Sequence, residues 1–110
     1  MYPIEIGNHE LTVRFIVAEA NRETLTLVLG EDEEMVLTID YITFGRDLTK
    51  AYERLNGAAR LQNTDGRTIL TISFKRGRVD VSIAWGRGVM TFETDQSYLT
   101  KTVGQLGPFE

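Results

Sequence analysis

The sequence predicts an α+β fold in which an antiparallel sheet of about six or seven strands carries two helices on one face, in the order β-β-β-α-β-β-β-β-α. Apolar and polar residues alternate with period two over most of the chain, as in Thr24–Leu29. Short polar separators stand between the alternating segments, which is typical of antiparallel hairpins. Two segments, 43–55 and 95–106, instead repeat their apolar residues at helical spacing.

The elements before residue 57 are three strands and a helix. The predicted strands are Leu11–Phe15, Thr24–Leu29 and Met35–Asp40, joined by the polar separators 19–23 and 30–34. Four apolar residues then recur at spacings of four, four and three, which predicts an amphipathic helix: Phe44, Leu48, Tyr52 and Leu55. We expect Thr43 to be its N-cap and Gly57 its C-terminal stop.

The elements after residue 57 are a second run of strands and a last helix. The predicted strands are Ala58–Asn63, Thr68–Lys75, Arg78–Trp85 and Val89–Glu93. Turns are predicted at Asp65-Gly66, at Gly77 and at Gly86-Arg87-Gly88. The helix from Asp95 to Leu106 is closed by Gly107-Pro108, and Trp85 shares the parity of the apolar face of its strand.

Length and composition exclude several classes of protein. The chain has 110 residues, enough for one domain over 1–110, and the absence of cysteine excludes disulfide scaffolds, thiolate nucleophiles and Cys-based zinc sites. Its longest apolar run is shorter than the roughly 18 residues of a membrane helix, and Met1-Tyr2-Pro3-Ile4-Glu5 does not resemble a signal peptide. We therefore expect a cytoplasmic protein without a membrane segment.

The charge is unevenly distributed along the chain. The net charge is −4, with five basic and eleven acidic side chains in residues 1–55, a net of −6, and a net of +2 in residues 56–110. An acidic chain is a poor binder of phosphate backbones, so we expect no nucleic-acid partner. The basic residues Lys75, Arg76, Arg78 and Arg87 are interpreted as a solvated edge around the Gly77 turn. An acidic surface suits a basic protein partner.

Catalytic groups are scarce. His9 is the single histidine and stands beside Gly7-Asn8, so it is better interpreted as a solvated turn residue than as a general base. The glycines of Gly86-Arg87-Gly88 join two strands and open no helix, unlike phosphate-binding loops. We expect no catalytic residue, no metal site and no cofactor, and therefore no enzyme.

The run Glu31-Asp32-Glu33-Glu34 is the first candidate for partner binding. It can be a solvated hairpin tip, a contact for a basic partner or, less favourably, a cation site, because its spacing is not that of a calcium loop. A solvated tip contains no core residue, so neutralising all four carboxylates is expected to leave stability nearly unchanged.

The polar face of the predicted sheet is the second candidate. It presents Thr, Ser and charged side chains, namely Thr24, Thr26, Thr38, Asp40, Thr71, Ser73, Lys75, Arg78, Asp80 and Ser82. Such a face is either ordinary solvated surface or a flat surface for protein recognition. We assign Thr38, Asp40 and Asp80 to the partner-binding set, together with the acidic run.

The order of the segments resembles that of a known family. The stretches Asp47–Leu61, with its helix end Leu55-Asn56-Gly57-Ala58-Ala59-Arg60-Leu61, and Thr94-Asp95-Gln96-Ser97-Tyr98-Leu99 resemble the WapI-type immunity proteins of bacterial polymorphic toxin systems. The match covers positions 44–106, a little over half of the chain. The resemblance implies a non-enzymatic protein that binds and neutralises a cognate toxin domain. Within the matching segments, Asp95 is suited to cap the last helix.

Two functions remain open from the sequence. The first is an immunity-type protein, present as a monomer or weak dimer, that binds a toxin basic at the contact. The second is a structural or adaptor module, such as a phage or accessory protein, that self-associates through a free sheet edge.

Overall fold

The computed structural model describes residues 3–76 and 78–106, which form two antiparallel sheets of four strands each and two helices. The first sheet contains β1 (Pro3–Gly7), β2 (Thr12–Ala20), β3 (Thr24–Leu29) and β4 (Asp32–Leu37). It is followed by α1 (Thr38–Arg54). The second sheet contains β5 (Gly57–Gln62), β6 (Thr68–Lys75), β7 (Arg78–Trp85) and β8 (Gly88–Asp95), and α2 (Gln96–Leu106) follows it. Strand order in each sheet is chain order, so each sheet is a meander.

The predicted α+β class with antiparallel pairing is confirmed, whereas the single sheet of six or seven strands is wrong. The order is β-β-β-β-α-β-β-β-β-α, with eight strands in two sheets. Residues 3–7 were not predicted as a strand because the segment is short and bounded by proline and glycine, both unfavourable within strands. Helix α1 separates the two meanders, so β5 starts a new sheet instead of extending the first.

The predicted strand Met35–Asp40 is wrong in its second half. Strand β4 ends at Leu37 and α1 begins at Thr38, five residues before the expected N-cap at Thr43. The alternation of the sequence continues through Thr38-Ile39-Asp40, but burial of the helix face that includes Tyr41 and Phe44 determines the conformation. The cap is made by the main chain, because the Thr38 N–H donates to the Glu23 carbonyl oxygen at 2.8 Å.

The end of α1 also differs from the prediction. The left-handed residue is Leu55, at φ 57°, and the main-chain N–H of Asn56 donates to the Ala51 carbonyl oxygen at 3.2 Å. Gly57, the predicted stop, is the first residue of β5. The chain therefore turns two residues earlier than the glycine suggested, at a residue type for which this conformation is unfavourable.

The two sheets and both helices enclose one hydrophobic core. The rings of Phe15 on β2 and Trp85 on β7 lie 4.8 Å apart between their centroids, so the inner faces of the two sheets meet directly there. Trp85 is 5% exposed, and its Nε1–H donates to the Asp32 carbonyl oxygen at 3.1 Å. The predicted placement of Trp85, on the apolar face with its indole N–H in reach of a partner, is confirmed.

Three hairpin loops are closed by asparagine side chains. In each loop the Oδ1 atom accepts a hydrogen bond from the main-chain N–H two residues later, at Asn8, Asn21 and Asn63. The predicted turns at Asp65-Gly66 and Gly86-Arg87 are confirmed. Gly77 and Gly107-Pro108 lie outside the described residues.

Helix α2 begins at an acidic cap and packs on β1. The Asp95 carboxylate accepts hydrogen bonds from the Ser97 hydroxyl and from its main-chain N–H at 2.9 Å, which confirms the predicted cap. The Ser97 hydroxyl bond is the main reason that the pKa of Asp95 is lowered. Further along the helix, Gln105 Oε1 accepts from the main-chain N–H of Glu5 at 2.7 Å.

Candidate partner-binding site

The hairpin of β3 and β4 carries three exposed carboxylates, Glu31 in its turn and Asp32 and Glu33 at the start of β4, which we call the acidic rim. The rim lies against the turn between β7 and β8. A Cβ atom on Gly86 would lie 2.7 Å from Cγ of Asp32, so the carboxyl group of Asp32 rests directly on the glycine. Together with the bond from the Trp85 indole to the Asp32 carbonyl, this contact positions Asp32 relative to the second sheet.

Glu34, the fourth residue of the acidic run, does not belong to the rim. Its side chain is 12% exposed, Oε2 lies 2.9 Å from Nη2 of Arg67, and Oε1 accepts from Asn63 Nδ2 at 3.0 Å. Arg67 also donates to the carbonyl oxygens of Ala84 and Gly86, both at 3.2 Å. Glu34 therefore joins the two sheets, which sequence reasoning missed because Arg67 is 33 residues away.

An open cleft of about 200 Å³ lies beside the acidic rim. It is mostly apolar, and the residues that line it are Leu29, Asp32, Ile83, Trp85, Gly88, Val89 and Met90. Val89 is 75% exposed and Met90 is 44% exposed. We call this feature the apolar cleft. It combines exposed aliphatic surface with a carboxylate at its edge, a combination that suits an aliphatic side chain flanked by basic residues.

The sequence contains one signal for the apolar cleft that the prediction did not use. Val89 and Met90 are adjacent apolar residues directly after the Gly86-Arg87-Gly88 turn. On a strand, adjacent residues point to opposite faces, so only one residue of such a pair can face the core. The exposed position of Val89 follows from this break in the alternation.

Thr38 and Asp40 are not on a sheet face, which corrects their predicted place. Both lie in the first turn of α1. The Thr38 hydroxyl donates to the Asn21 carbonyl oxygen at 2.9 Å and so ties α1 to the loop between β2 and β3. Asp40 lines a separate polar groove of about 250 Å³ together with Arg60 and Gln62 of β5.

Asp80 lies on the outer face of the second sheet, as its alternation predicts. It pairs with Arg78, whose Nε lies 3.4 Å from Asp80 Oδ1, and Arg78 Nη1 lies at the same distance from Glu93 Oε1. The face around Asp80 forms a shallow depression of about 380 Å³ that is lined mainly by Thr, Ser, Asp and Glu residues. Thr24 and Thr26 are on the first sheet, so the predicted single polar face is in fact two outer faces on opposite sides of the core.

The remaining charged candidates are dispersed. His9 is an exposed loop residue between β1 and β2, with its Nε2 atom 3.4 Å from Glu10 Oε1. Arg87 lies at the other end of β7 from Lys75, Arg76 and Arg78, so the four cations do not form one cluster around Gly77.

Among residues 3–76 and 78–106, no group of three His, Asp or Glu side chains is arranged to hold a metal ion. Within the same ranges, no helix has the length and apolar character needed to cross a membrane. Comparison of the chain with protein-family models, curated proteins and solved structures found no match.

Of the seven predicted partner-binding residues, Asp32 lines the apolar cleft, and its chain neighbours Glu31 and Glu33 are exposed in the same hairpin. Glu34 is used in the contact between the sheets, and Thr38, Asp40 and Asp80 lie on other parts of the surface. The apolar cleft combines exposed Val89 and Met90 with the exposed carboxylate of Asp32.

Proposed function

We propose that this protein is an immunity-type protein, which binds and neutralises a bacterial toxin domain through the acidic rim and the apolar cleft. The observation that carries the proposal is the contact between the β3–β4 and β7–β8 hairpins, which holds the Asp32 carboxylate of the acidic rim beside exposed Val89 and Met90. Burial of the aliphatic surface would stabilise a complex, and the carboxylates would attract and orient a basic partner.

Two features of the sequence support this function. The segments 47–61 and 94–99 resemble those of WapI-type immunity proteins, and residues 1–55 carry a net charge of −6. The acidic rim lies outside the matching positions 44–106, whereas most of the residues that line the apolar cleft lie within them.

Coexpression with the toxin domain encoded immediately upstream tests the proposal. The unmodified protein should restore growth and copurify with the toxin. Val89→Lys should abolish both effects, because it places a cation in the apolar cleft, and Ile39→Lys is the matched control at a residue that is 63% exposed in the first turn of α1. Absence of a complex together with absence of rescue by the unmodified protein would falsify the immunity function.

A second candidate function is self-association as a structural or adaptor module. It is favoured by the exposure of β8, an edge strand with Val89 and Met90 at its start. Each copy carries a net charge of −4, which opposes pairing of two copies at low ionic strength. Light scattering distinguishes the functions, since a stable dimer without toxin binding would support the adaptor.

A further inference from the structure

The edge strands β1, β4 and β5 each contact elements outside their own sheet. At the β1 edge, the main-chain N–H of Glu5 donates to Gln105 and its carbonyl oxygen accepts from the Thr102 hydroxyl. At the β4 edge, the Met35 carbonyl oxygen accepts from the Thr64 N–H at 2.9 Å. Strand β5 packs along α1. Covered edges protect a sheet from pairing with foreign strands.

The β8 edge is covered only near its end. Asn8 Nδ2 donates to the Glu93 carbonyl oxygen at 2.8 Å, and Thr94 donates from Oγ1 to the Gly7 carbonyl oxygen at 2.7 Å. In the part of the chain that the structure describes, no such bond reaches Val89 or Thr91 from outside the second sheet. The segment 88–92 is therefore an uncovered edge.

The pairing of β7 with β8 shows which main-chain groups point outward. The register is regular from Trp85↔Gly88 to Arg78↔Asp95, and residues of an antiparallel strand alternate between bonding the neighbour and pointing away from it. The Glu93 carbonyl points away, because it accepts from Asn8. Val89 and Thr91 have the same parity, so their N–H and C=O groups also point away from β7.

The uncovered edge adjoins the apolar cleft and the acidic rim. Gly88, Val89 and Met90 line the cleft, and Asp32 lines its other side. A strand placed next to β8 would thus extend the second sheet beside an apolar opening with carboxylates nearby. These surroundings favour a segment with an aliphatic side chain between two basic ones.

We propose that the β8 edge between Val89 and Thr91 binds an extended segment of the partner as an added strand, with an aliphatic side chain in the apolar cleft and basic side chains at the acidic rim. This inference rests on the proposed function, because the added segment would belong to the toxin that the protein neutralises. A second copy of the chain fits less well, because it brings another net charge of −4 and another acidic rim.

A synthetic peptide tests strand addition without the toxin. The probe is acetyl-Thr-Lys-Thr-Val-Thr-Lys-Thr-amide, which as a strand presents Lys, Val and Lys on one face. Titration of the ¹⁵N-labelled protein should shift the amide signals of Val89 and Thr91 and slow their hydrogen exchange. The same peptide with Glu in place of both Lys residues is the charge control and should bind at least about tenfold more weakly.

Matched variants separate main-chain pairing from side-chain contact. Thr91→Pro removes the outward N–H, a change that edge strands tolerate, whereas Thr91→Ala retains it. We expect Thr91→Pro to weaken peptide binding at least about tenfold and Thr91→Ala to change it less than about twofold. Equal binding by the two variants, or shifts confined to another surface, would overturn the proposal.

Peptide variants keep the test decisive if Thr91→Pro does not fold. N-methylation of alternate peptide residues blocks one edge of the added strand, so one of the two alternating methylation patterns should abolish binding and the other should retain it. Two patterns of equal effect would refute strand addition. Peptide binding without toxin neutralisation would refute the immunity function and leave strand addition intact. A dimer formed through β8 that does not bind the peptide would overturn the proposal that a partner segment is added at this edge.

Discussion

Glu34 on β4 and Arg67, directly before β6, form an ion pair between the two sheets, with Arg67 Nη2 at 2.9 Å from Glu34 Oε2. The same carboxylate accepts from Asn63 Nδ2, which lies in the loop that Arg67 closes. The pair therefore connects the sheets and also orders the hairpin loop between β5 and β6. A single substitution at Glu34 affects both.

Glu34→Gln should lower the free energy of unfolding by about 1 to 3 kcal/mol, because it weakens a partly buried network that includes Arg67 and Asn63. Glu33→Gln, on the exposed side of the same strand, should change it by less than about 0.5 kcal/mol. Urea unfolding of the two variants measures the difference. Equal effects at the two positions would contradict the assignment of Glu34 to the fold.

Trp85→Ala should destabilise the protein by about 3 to 5 kcal/mol, since the ring is 5% exposed and packs on Phe15. Trp85→Phe should cost less, because it retains a ring and loses the bond to the Asp32 carbonyl. Trp85 is the sole tryptophan, so unfolding must be followed by circular dichroism. A loss below about 1 kcal/mol for Trp85→Ala would show that its ring is not a core element.

Two glycine-to-alanine substitutions should have opposite effects on stability. Gly104 is an exposed residue within α2 with no atom within 4 Å of an added Cβ, so Gly104→Ala should stabilise by about 0.5 to 1 kcal/mol. Gly86 has a φ of +56°, a conformation that is strained for alanine, and an added Cβ would also displace the carboxyl group of Asp32. Gly86→Ala should therefore lower the melting temperature, and Gly104→Ala should raise it. The same sign for both would refute this account.

The pH dependence of stability should include a contribution from Glu5. Its hydrogen bond to Lys101, with Nζ at 2.7 Å from Oε1, is the largest cause of its lowered pKa, followed by the bond from Gln105. A carboxylate with a lowered folded-state pKa stabilises the fold above its unfolded-state pKa, and that stabilisation is lost as the pH falls through the folded-state pKa. Arg14 on β2 adds a weaker attraction.

We therefore expect the difference in melting temperature between the unmodified protein and Glu5→Gln to shrink as the solution becomes acidic. Lys101→Met should raise the pKa of Glu5 toward its ordinary value in an NMR titration. Glu53→Gln, at an exposed position on α1, is the control. A difference between the unmodified protein and Glu5→Gln that grows toward acid would have the wrong sign for this interaction.

Neutralising the acidic rim should slow association with the partner. The triple variant Glu31→Gln, Asp32→Asn, Glu33→Gln should reduce the association rate by about an order of magnitude at low ionic strength and change dissociation much less. Glu34 is left intact because it joins the two sheets. Asp80→Asn, on the outer face of the second sheet, is the control, and stopped-flow mixing with the purified toxin gives both rates.

An unchanged association rate in the triple variant would remove the acidic rim from the binding surface. The outer faces of the sheets would then be the place to search. Their polar residues are Thr24, Thr26, Thr71, Ser73, Asp80 and Ser82.

Local features of the fold could be predicted from the sequence because they depend on neighbouring residues. The alternation of Arg78–Trp85 identifies a strand and the buried side of Trp85, and Asp95 followed by Ser97 identifies a helix start. The boundary at Thr38 could not be predicted, because strand-like alternation continues into the helix and packing of the Phe44 face decides it.

The arrangement of the sheets and the candidate site depend on contacts between distant parts of the chain. Glu34 meets Arg67 across 33 residues, and the apolar cleft forms where Leu29 approaches Met90. Alternation indicates which face of a strand is buried but not which other strand it packs against. The acidic rim was therefore found from the sequence, whereas the cleft beside it was not.

The contact of α2 with β1 has a consequence for the order of folding. Each meander closes through hairpins between consecutive strands, whereas the bonds of Glu5 to Thr102 and Gln105 join residues 97 and 100 positions apart. Closing the longest loop is entropically the most demanding step, so we expect this contact to form after both sheets. Until α2 docks, the main-chain groups of Glu5 remain open to foreign strands, and an incompletely folded chain is vulnerable to aggregation at β1.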